Sequence, residues 1–257
     1  MLVAERHRKI VELVNKQLSV RVSELSRIFS VTEETIRRDL EKLEKEGKLL
    51  RSHGGAVSIE KDQHLELSYL EREITKAAEK KAIALEAVKL IQPNDLIVLD
   101  ASTTAWYMAK ELPNEPLTVI TNSIKVALEL SVKDQIKVMS TGGLLSQRSL
   151  SYIGPLAERS LQTYHVNKTF LSCKGVHLDG GLSDSNEWQA LIKKQMMEIS
   201  DQTILLADSS KFGVRTFAFI NDLEKVDRII TDQNIDEAYK NELESHNIEV
   251  TVVPLPS

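Results

Sequence analysis

The chain is 257 residues long, 42% hydrophobic, 28% charged and 5% aromatic, with 10 Gly, 6 Pro and 1 Cys. That excludes a collagen-like, low-complexity or wholly disordered chain, and at roughly 150 residues per domain the length implies one or two domains. Net charge is −5 but uneven: residues 1–60 carry 12 Lys+Arg against 10 Asp+Glu and the rest 21 against 28, as expected of a head that approaches a polyanion.

A chain this long buries a core without disulfides or a structural metal. The lone Cys173 has no intrachain partner, no Cys/His cluster has zinc-ligand spacing, and no cofactor is implied. No apolar run approaches the roughly 20 residues of a membrane span. The start, MLVAERHRKIVELV, is charged within five residues and so does not read as a secretory signal. The expectation is a cytoplasmic protein with no membrane contact.

All 6 prolines lie at or beyond Pro93, and the head reads as short helices. Residues 5–16 place Ile10, Leu13 and Val14 on one face, and 22–29 bury Val22, Leu25 and Phe29. Ser30-Val31-Thr32 punctuates, then TEETIRRDLEKLEKEG runs as a helix to Gly47, a C-cap, with Ile36, Leu40 and Leu43 inward. Glu33, three residues after Ser30, fits a capping box. KLLRSHGGAVSI reads as two strands around a Gly54-Gly55 turn.

Two helices, a tight turn and a third helix form the helix-turn-helix pattern, in which the start of the third helix meets base edges in the major groove. Thr32, Glu33, Thr35, Arg37 and Arg38 are the side chains that reach out, Lys42 suits a phosphate, and Arg51 and His53 belong to a wing. The bland alternative is a solvated helix face, since pairs such as Arg37 with Glu41 occur on any surface helix. The domains expected are a winged helix-turn-helix over 1–57, a linker over 58–74 and a sensor and oligomerisation domain over 75–257.

Beyond a helix over about 75–91, short apolar strands (DLIVLD, LTVIT, QIKVMST, KTFLSC, TILLAD, RIIT, IEVTVV) alternate with helices. That rhythm predicts an α/β domain with a largely parallel sheet covered on both faces. Ligands of such sheets bind at the carboxyl ends of the strands. There the sequence places Asp100, Ser102, Thr103 and Thr104; Thr121 and Asn122; Gly142 and Gly143; and Asp208 and Lys211. Hydroxyls and free N–H groups at helix starts cradle anions, and Lys211 supplies charge. Taken singly, each segment is an ordinary helix cap; together they point to a shared pocket. Cys173, His165, His177, Trp106 and Trp188 read as packing or structural residues.

Arg6, Ile10 and Val14 followed by Thr32-Glu33-Glu34-Thr35-Ile36-Arg37-Arg38-Asp39-Leu40 resemble the signature of the DeoR family of bacterial transcription regulators. Arg51-Ser52-His53-Gly54-Gly55-Ala56 resembles that family's wing, and the resemblance implies that Asp39 orients the arginines or braces the helix. Residues from about 75 to 235 resemble the family's sensor domain in the Asp-x-Ser/Thr-Thr, Thr-Asn-Ser, Gly-Gly, Gly-Pro-Leu-Ala-Glu, Asn-Glu and Asp-Ser-Ser-Lys segments. That domain is similar to ribose-5-phosphate isomerases and CoA transferases.

The resemblance implies operator DNA as partner, a phosphorylated sugar as effector, and a homodimer or homotetramer. It adds Glu187 to the effector site and draws attention to Lys174, which stands where relatives commonly carry a small or apolar residue. The tracts LDASTTAWYMAKELP, TYHVNKTFLSCKGV and SDSNEWQAL look similar to regulators of rhamnose catabolism in Bacillus-like bacteria. That likeness implies a repressor released by L-rhamnulose 1-phosphate. The competing class is a sugar-phosphate isomerase or transferase with an accessory head, but an enzyme gives no reason for TIRRDL at recognition-helix spacing.

Overall fold

A computed structural model describes residues 3–17, 19–52, 55–57 and 68–255. The chain divides into two units, Met1–Glu66 and Leu67–Ser257. In the first, α1 (Val3–Gln17), β1 (Ser19–Arg21), α2 (Val22–Phe29), α3 (Glu33–Lys45), β2 (Leu50–Ser52) and β3 (Gly55–Val57) follow in order. The inward positions Ile10, Val14, Val22, Leu25, Ile36, Leu40 and Leu43 form one core with Val20, Leu49 and Ala56.

The antiparallel sheet has three strands, in the order β1-β3-β2. β1 escapes sequence reading because three residues show no alternation. Gly55 lies within β3 rather than in the turn, and His53 and Gly54 fall outside the described residues. The α3 cap is Thr32, whose side chain accepts from the Thr35 N–H. This replaces the expected Ser30–Glu33 box, since Ser30 is in the left-handed region at φ 53°. Gly47, at φ 67°, ends the helix as a C′ glycine.

In the second unit, the predicted strands become β4 (Leu96–Leu99), β5 (Leu117–Thr121), β6 (Ile136–Ser140), β9 (Val166–Leu171), β12 (Ser200–Leu206), β14 (Arg228–Asp232) and β15 (Glu249–Val253). They form a parallel sheet in the order β15-β14-β12-β9-β4-β5-β6. Successive residues face opposite sides of a strand, so both sides need cover. Ile97 and Leu99 pack against α5 (Ala77–Val88), α6 (Thr103–Glu111) and α7 (Ile124–Leu130). Val98 and Ile120 pack on the other face with α8 (Pro155–Leu161) and α9 (Glu187–Glu198). The remaining helix, α10 (Glu237–Ser245), contacts the edge strand β15.

Two small additions were not expected. A hairpin joins β7 (Leu144–Ser146) to β8 (Ser151–Ile153), and β10 (Gly175–His177), β11 (Gly181–Asp184) and β13 (Ala218–Asn221) form an antiparallel sheet. The segment read as a linker over 58–74 ends in a helix, α4 (Tyr69–Ile74), opened by a Ser68–Glu71 capping box. Tyr69 is buried in the second unit's core. One buried residue in an otherwise polar stretch leaves no period to read. Residues 58–67 lie outside the described residues. Among the described residues, no helix is long and apolar enough to cross a membrane.

The C-terminus of α6 is closed by a side chain from a distant loop. Lys133 Nζ donates to the carbonyls of Ala109, Lys110 and Leu112, at 2.9, 3.0 and 2.6 Å. A cation there satisfies orphan carbonyls and opposes the helix dipole. Lys133→Ala is expected to destabilise the second unit by about 1–3 kcal/mol, measured by denaturant unfolding of the full chain.

Candidate functional site

On the head, Thr32, Glu33, Arg37, Arg38 and Lys42 are exposed along α3, and Thr35 is half-buried. The Thr32 and Thr35 hydroxyls are 2.9 Å apart. Arg37 pairs with Glu33 at 3.1 Å and Arg38 with Glu34 at 3.4 Å, each one turn back along the helix. Arg37 therefore does not take Glu41, which binds Lys45. Exposed pairs of this kind are weak, so both guanidiniums can exchange a carboxylate for DNA. Arg51 lies in β2, and the expected wing residue His53 lies outside the described residues.

Asp39 points the other way, into the head. Its carboxylate accepts from Arg6 Nε at 2.6 Å, Arg6 Nη2 at 3.2 Å and His7 Nε2 at 2.9 Å. Burial raises the Asp39 pKa, but the hydrogen bonds from Arg6 and His7 outweigh it and hold the carboxyl below its ordinary value. Of the two roles implied for Asp39, the geometry supports bracing: it ties α3 to α1, and Arg37 and Arg38 project on the outer side.

In the second unit, Asp100 is buried at the end of β4. It accepts from Ser102 N–H at 3.0 Å and Ser172 N–H at 3.1 Å. Ser102 caps α6 by accepting from Ala105 N–H, and Thr103 and Thr104 are buried beside it. On the neighbouring strand, Thr121 accepts from Ser123 N–H. Asn122 donates to Tyr152 O, while its own buried oxygen Oδ1 is left without a partner. The capping role is thus real at Ser102, and Asn122 Oδ1 is a buried acceptor without a partner. A Cβ on Gly143, at φ 119°, would lie 2.9 Å from Ile153 O and 3.0 Å from Ala157 Cβ. The close approach of Ile153 and Ala157, together with the positive φ, therefore explains that glycine.

The charges converge. Lys193, buried on α9, lies 2.6 Å from Asp184 and 3.6 Å from Asp100. Burial works against its charge, yet the two carboxylates raise its pKa. Burial also opposes ionisation of Asp184, but Lys193 holds it as an anion. Asp208 accepts from Ser210 and sits 3.7 Å from Lys76 and 3.9 Å from Lys211. Those groups lower its pKa against the effect of burial.

Lys80 donates to the carbonyls of Arg72 and Thr75, and burial brings its pKa down to about 8. Lys174 feels burial first and then the charges of Arg72 and Lys211, which together bring it down to about 7. Within this group Arg72, Lys76, Lys80, Lys174, Lys193 and Lys211 outnumber Glu79, Asp100, Asp184 and Asp208. The arrangement attracts an anion. Asp184 and Asp208 are both held low, and Lys174 in this group is brought close to neutrality.

The structure therefore brings together Asp100, Lys174, Asp208 and Lys211, with the Ser102–Thr104 and Thr121–Asn122 segments on adjacent strand ends. It leaves Glu187 exposed at the first turn of α9, outside the buried group. Sequence reading missed Arg72, Lys80, Asp184 and Lys193. Arg72 lay in the supposed linker, and nothing marks a lysine such as Lys193 as buried until its carboxylates are in place. Cys173 is buried with its thiol pKa pushed up to about 12 by desolvation, as a packed thiol would be. Trp106 is buried, but Trp188 is not packed as expected: 43% of it is exposed.

Residues 75–233 match the DeoR C terminal sensor domain, and residues 6–62 match the DeoR-like helix-turn-helix domain. The chain is 66% identical over 255 residues to the uncharacterized HTH-type transcriptional regulator YulB of Bacillus subtilis, covering 99% of this chain and 98% of that one. It is 39% identical over 243 residues to the L-fucose operon activator of Haemophilus influenzae, covering 95% and 97%. Among solved structures, the sorbitol operon regulator SorC of Klebsiella pneumoniae aligns at a TM-score of 0.43 and 10% identity over 92% of this chain and 97% of that one. Ribose 5-phosphate isomerase A of Methanocaldococcus jannaschii aligns at 0.39 and 20% over 52% and 53%.

Removing one partner from a buried ion pair costs about 3–5 kcal/mol. Asp39→Asn is expected to destabilise the head by that margin while the stability of the second unit is unchanged, as read by circular dichroism and limited proteolysis. Asp39 has a depressed folded pKa. Its contribution is therefore complete above the unfolded value of about 3.9 and is lost as pH falls through the folded one. The wild-type head should lose stability below about pH 4, with a weaker slope in Asp39→Asn.

Proposed function

The chain belongs to the DeoR family of helix-turn-helix transcriptional regulators, and from that premise we propose that it represses a carbohydrate-catabolism operon until a phosphorylated sugar releases it. The observation that carries this reading is the pairing of exposed Arg37 and Arg38 on α3 with a buried surplus of cations at the sensor's strand ends. In this reading Thr32, Thr35, Arg37 and Arg38 meet base edges and backbone, Lys42 and Arg51 take phosphates, and Glu33 frees Arg37 on binding.

Phosphate binds near the Ser102–Thr104 helix start with Lys80, Lys174 and Lys211 as counter-charges. Asn122 accepts from a sugar hydroxyl. A regulator of this kind works in the cytoplasm, as a homodimer or homotetramer that joins two half-sites. L-rhamnulose 1-phosphate is the proposed effector. In support, the sequence tracts resemble rhamnose regulators, and relatives at 39% and 36% identity are L-fucose operon activators. Both sugars are 6-deoxyhexoses. Release requires the effector to favour a sensor state whose heads no longer fit the operator.

Arg37→Ala and Arg38→Ala should each cost about 1–3 kcal/mol of binding to an operator selected from a random duplex library. Normal gel shifts with the double variant would remove α3 from the interface. Lys211→Ala should keep DNA binding but respond poorly to L-rhamnulose 1-phosphate. A screen with L-fuculose 1-phosphate and other sugar phosphates by calorimetry tests the choice of ligand.

A phosphate dianion pairs with the protonated Lys174 amine, whose free pKa is about 7. Effector affinity should therefore weaken as pH rises above about 7, and Lys174→Met should flatten that slope.

A further inference from the structure

We propose that the outer face of α9 and the free edge of the β7–β8 hairpin form a two-fold interface with a second copy of this chain. The inference rests on the reading that the regulator binds DNA as an assembly, and it assigns the surface. The inner side of α9 is committed to its own sheet through Ile192, Lys193, Met196 and Met197. The outer side presents Glu187, Trp188, Leu191, Lys194 and Glu198.

Trp188 and Leu191 are 43% and 40% exposed, and two further exposed apolar side chains lie on the neighbouring elements: Leu144 at 66% and Leu156 at 69%; Leu145 points to the opposite face of β7. These elements meet at Gly154, where a Cβ would lie 4.0 Å from both Leu144 Cβ and Trp188 Cζ3. The four side chains expose on the order of 400 Å² of apolar surface, within the range of the largest patch on a typical monomer, which is often functional. A standard interface takes about 800 Å² per partner with a mainly apolar core, so this patch supplies a core of the right size.

Two features point to another copy as the occupant. The first is an unpaired strand edge. β7 pairs only with β8 among the described strands, and the far side of β8 is filled by the Ser123–Ser151 bridge and by Tyr152 N–H donating to Asn122 O. The outer edge of β7 thus offers apolar residues and backbone groups to a strand, a surface that proteins ordinarily cover.

The second is self-complementary charge. Glu187 precedes Leu191 by four residues, about one helical turn, and Lys194 follows it by three. A two-fold axis midway between Glu187 and Lys194, at the level of Ala190 and Leu191, sets two α9 helices antiparallel, with Glu187 against the partner's Lys194 and Leu191 and Trp188 flanking the centre. Tryptophan is among the residues that most often dominate interface energy. Because Lys193 on the same helix binds Asp184 and Asp100 of the effector group, a ligand that shifts those charges acts directly on the interface.

The test is sedimentation of the full chain from nanomolar to tens of micromolar, with circular dichroism as the folding control. Wild type should dimerise or tetramerise, and Leu191→Asp and Leu144→Lys should each weaken the association at least tenfold while staying folded. Glu187→Lys and Lys194→Glu should each weaken it, and the double exchange should restore it.

Wild-type association in all these variants would overturn this interface while leaving the regulator reading intact. A wild-type chain monomeric at every concentration would refute the assembly itself. Loss of L-rhamnulose 1-phosphate binding in Trp188→Ala, with association unchanged, would make Trp188 a sugar platform instead. Protection of Trp188 from iodide quenching in a chain that sediments as a monomer would show it covered without a second copy and overturn the interface.

Discussion

Lys193 is an ammonium with almost no access to water, and much of the sensor's geometry follows from keeping it charged. Transferring such a group from water costs several kcal/mol unless carboxylates and hydrogen bonds compensate. Asp184 and Asp100 do so, from β11 and from the end of β4. Asp100 is in turn fixed by the N–H groups of Ser102 and Ser172. One lysine on α9 therefore sets the spacing between a helix, an accessory sheet and two central strands, at the end of the sheet where ligands of such folds bind.

The head uses the same device. Arg6 and His7 hold Asp39 inside, so the residues on either side of it on α3 are presented outward at a fixed angle. In the head the buried cation–carboxylate contact is structural and the exposed arginines are the ones left for DNA. Arg37 and Arg38 are held only by exposed glutamates, and Lys174 sits among more positive than negative charge. The difference in environment separates scaffold charges from binding charges.

Helix α4 joins the effector group to the start of the sensor. The Arg72 and Thr75 carbonyls at its end accept from Lys80, the Glu73 carbonyl accepts from the Tyr107 hydroxyl, and Tyr69 N–H at its start donates to Arg148 O in the β7–β8 loop. Lys80 also feels the charge of Asp208. A bound anion that draws on Lys80 competes for the same ammonium that holds the α4 carbonyls. Binding there is therefore energetically linked to the first helix of the sensor, and such linkage acts in both directions.

The sequence alone determined the parallel sheet, because its strands are continuous apolar runs separated by helices with legible caps. It likewise determined α3, whose inward stripe and outward arginines follow from a 3.6-residue period. It also placed Asp100, Asp208 and Lys211 at strand ends, since strand-end chemistry is local. The tertiary structure alone decided which charges are buried and with whom. Arg72 and Lys80 come from α4 and α5, Asp184 and Lys193 from β11 and α9, two pairs of elements far apart in the chain, and no local pattern distinguishes a lysine that faces two carboxylates from one that faces water. It also decided that Glu187 and Trp188 lie on the outer side of α9. Their sequence neighbourhood reads equally well as a pocket rim, and only the packing of Ile192, Lys193 and Met196 against the sheet fixes the helix's rotation.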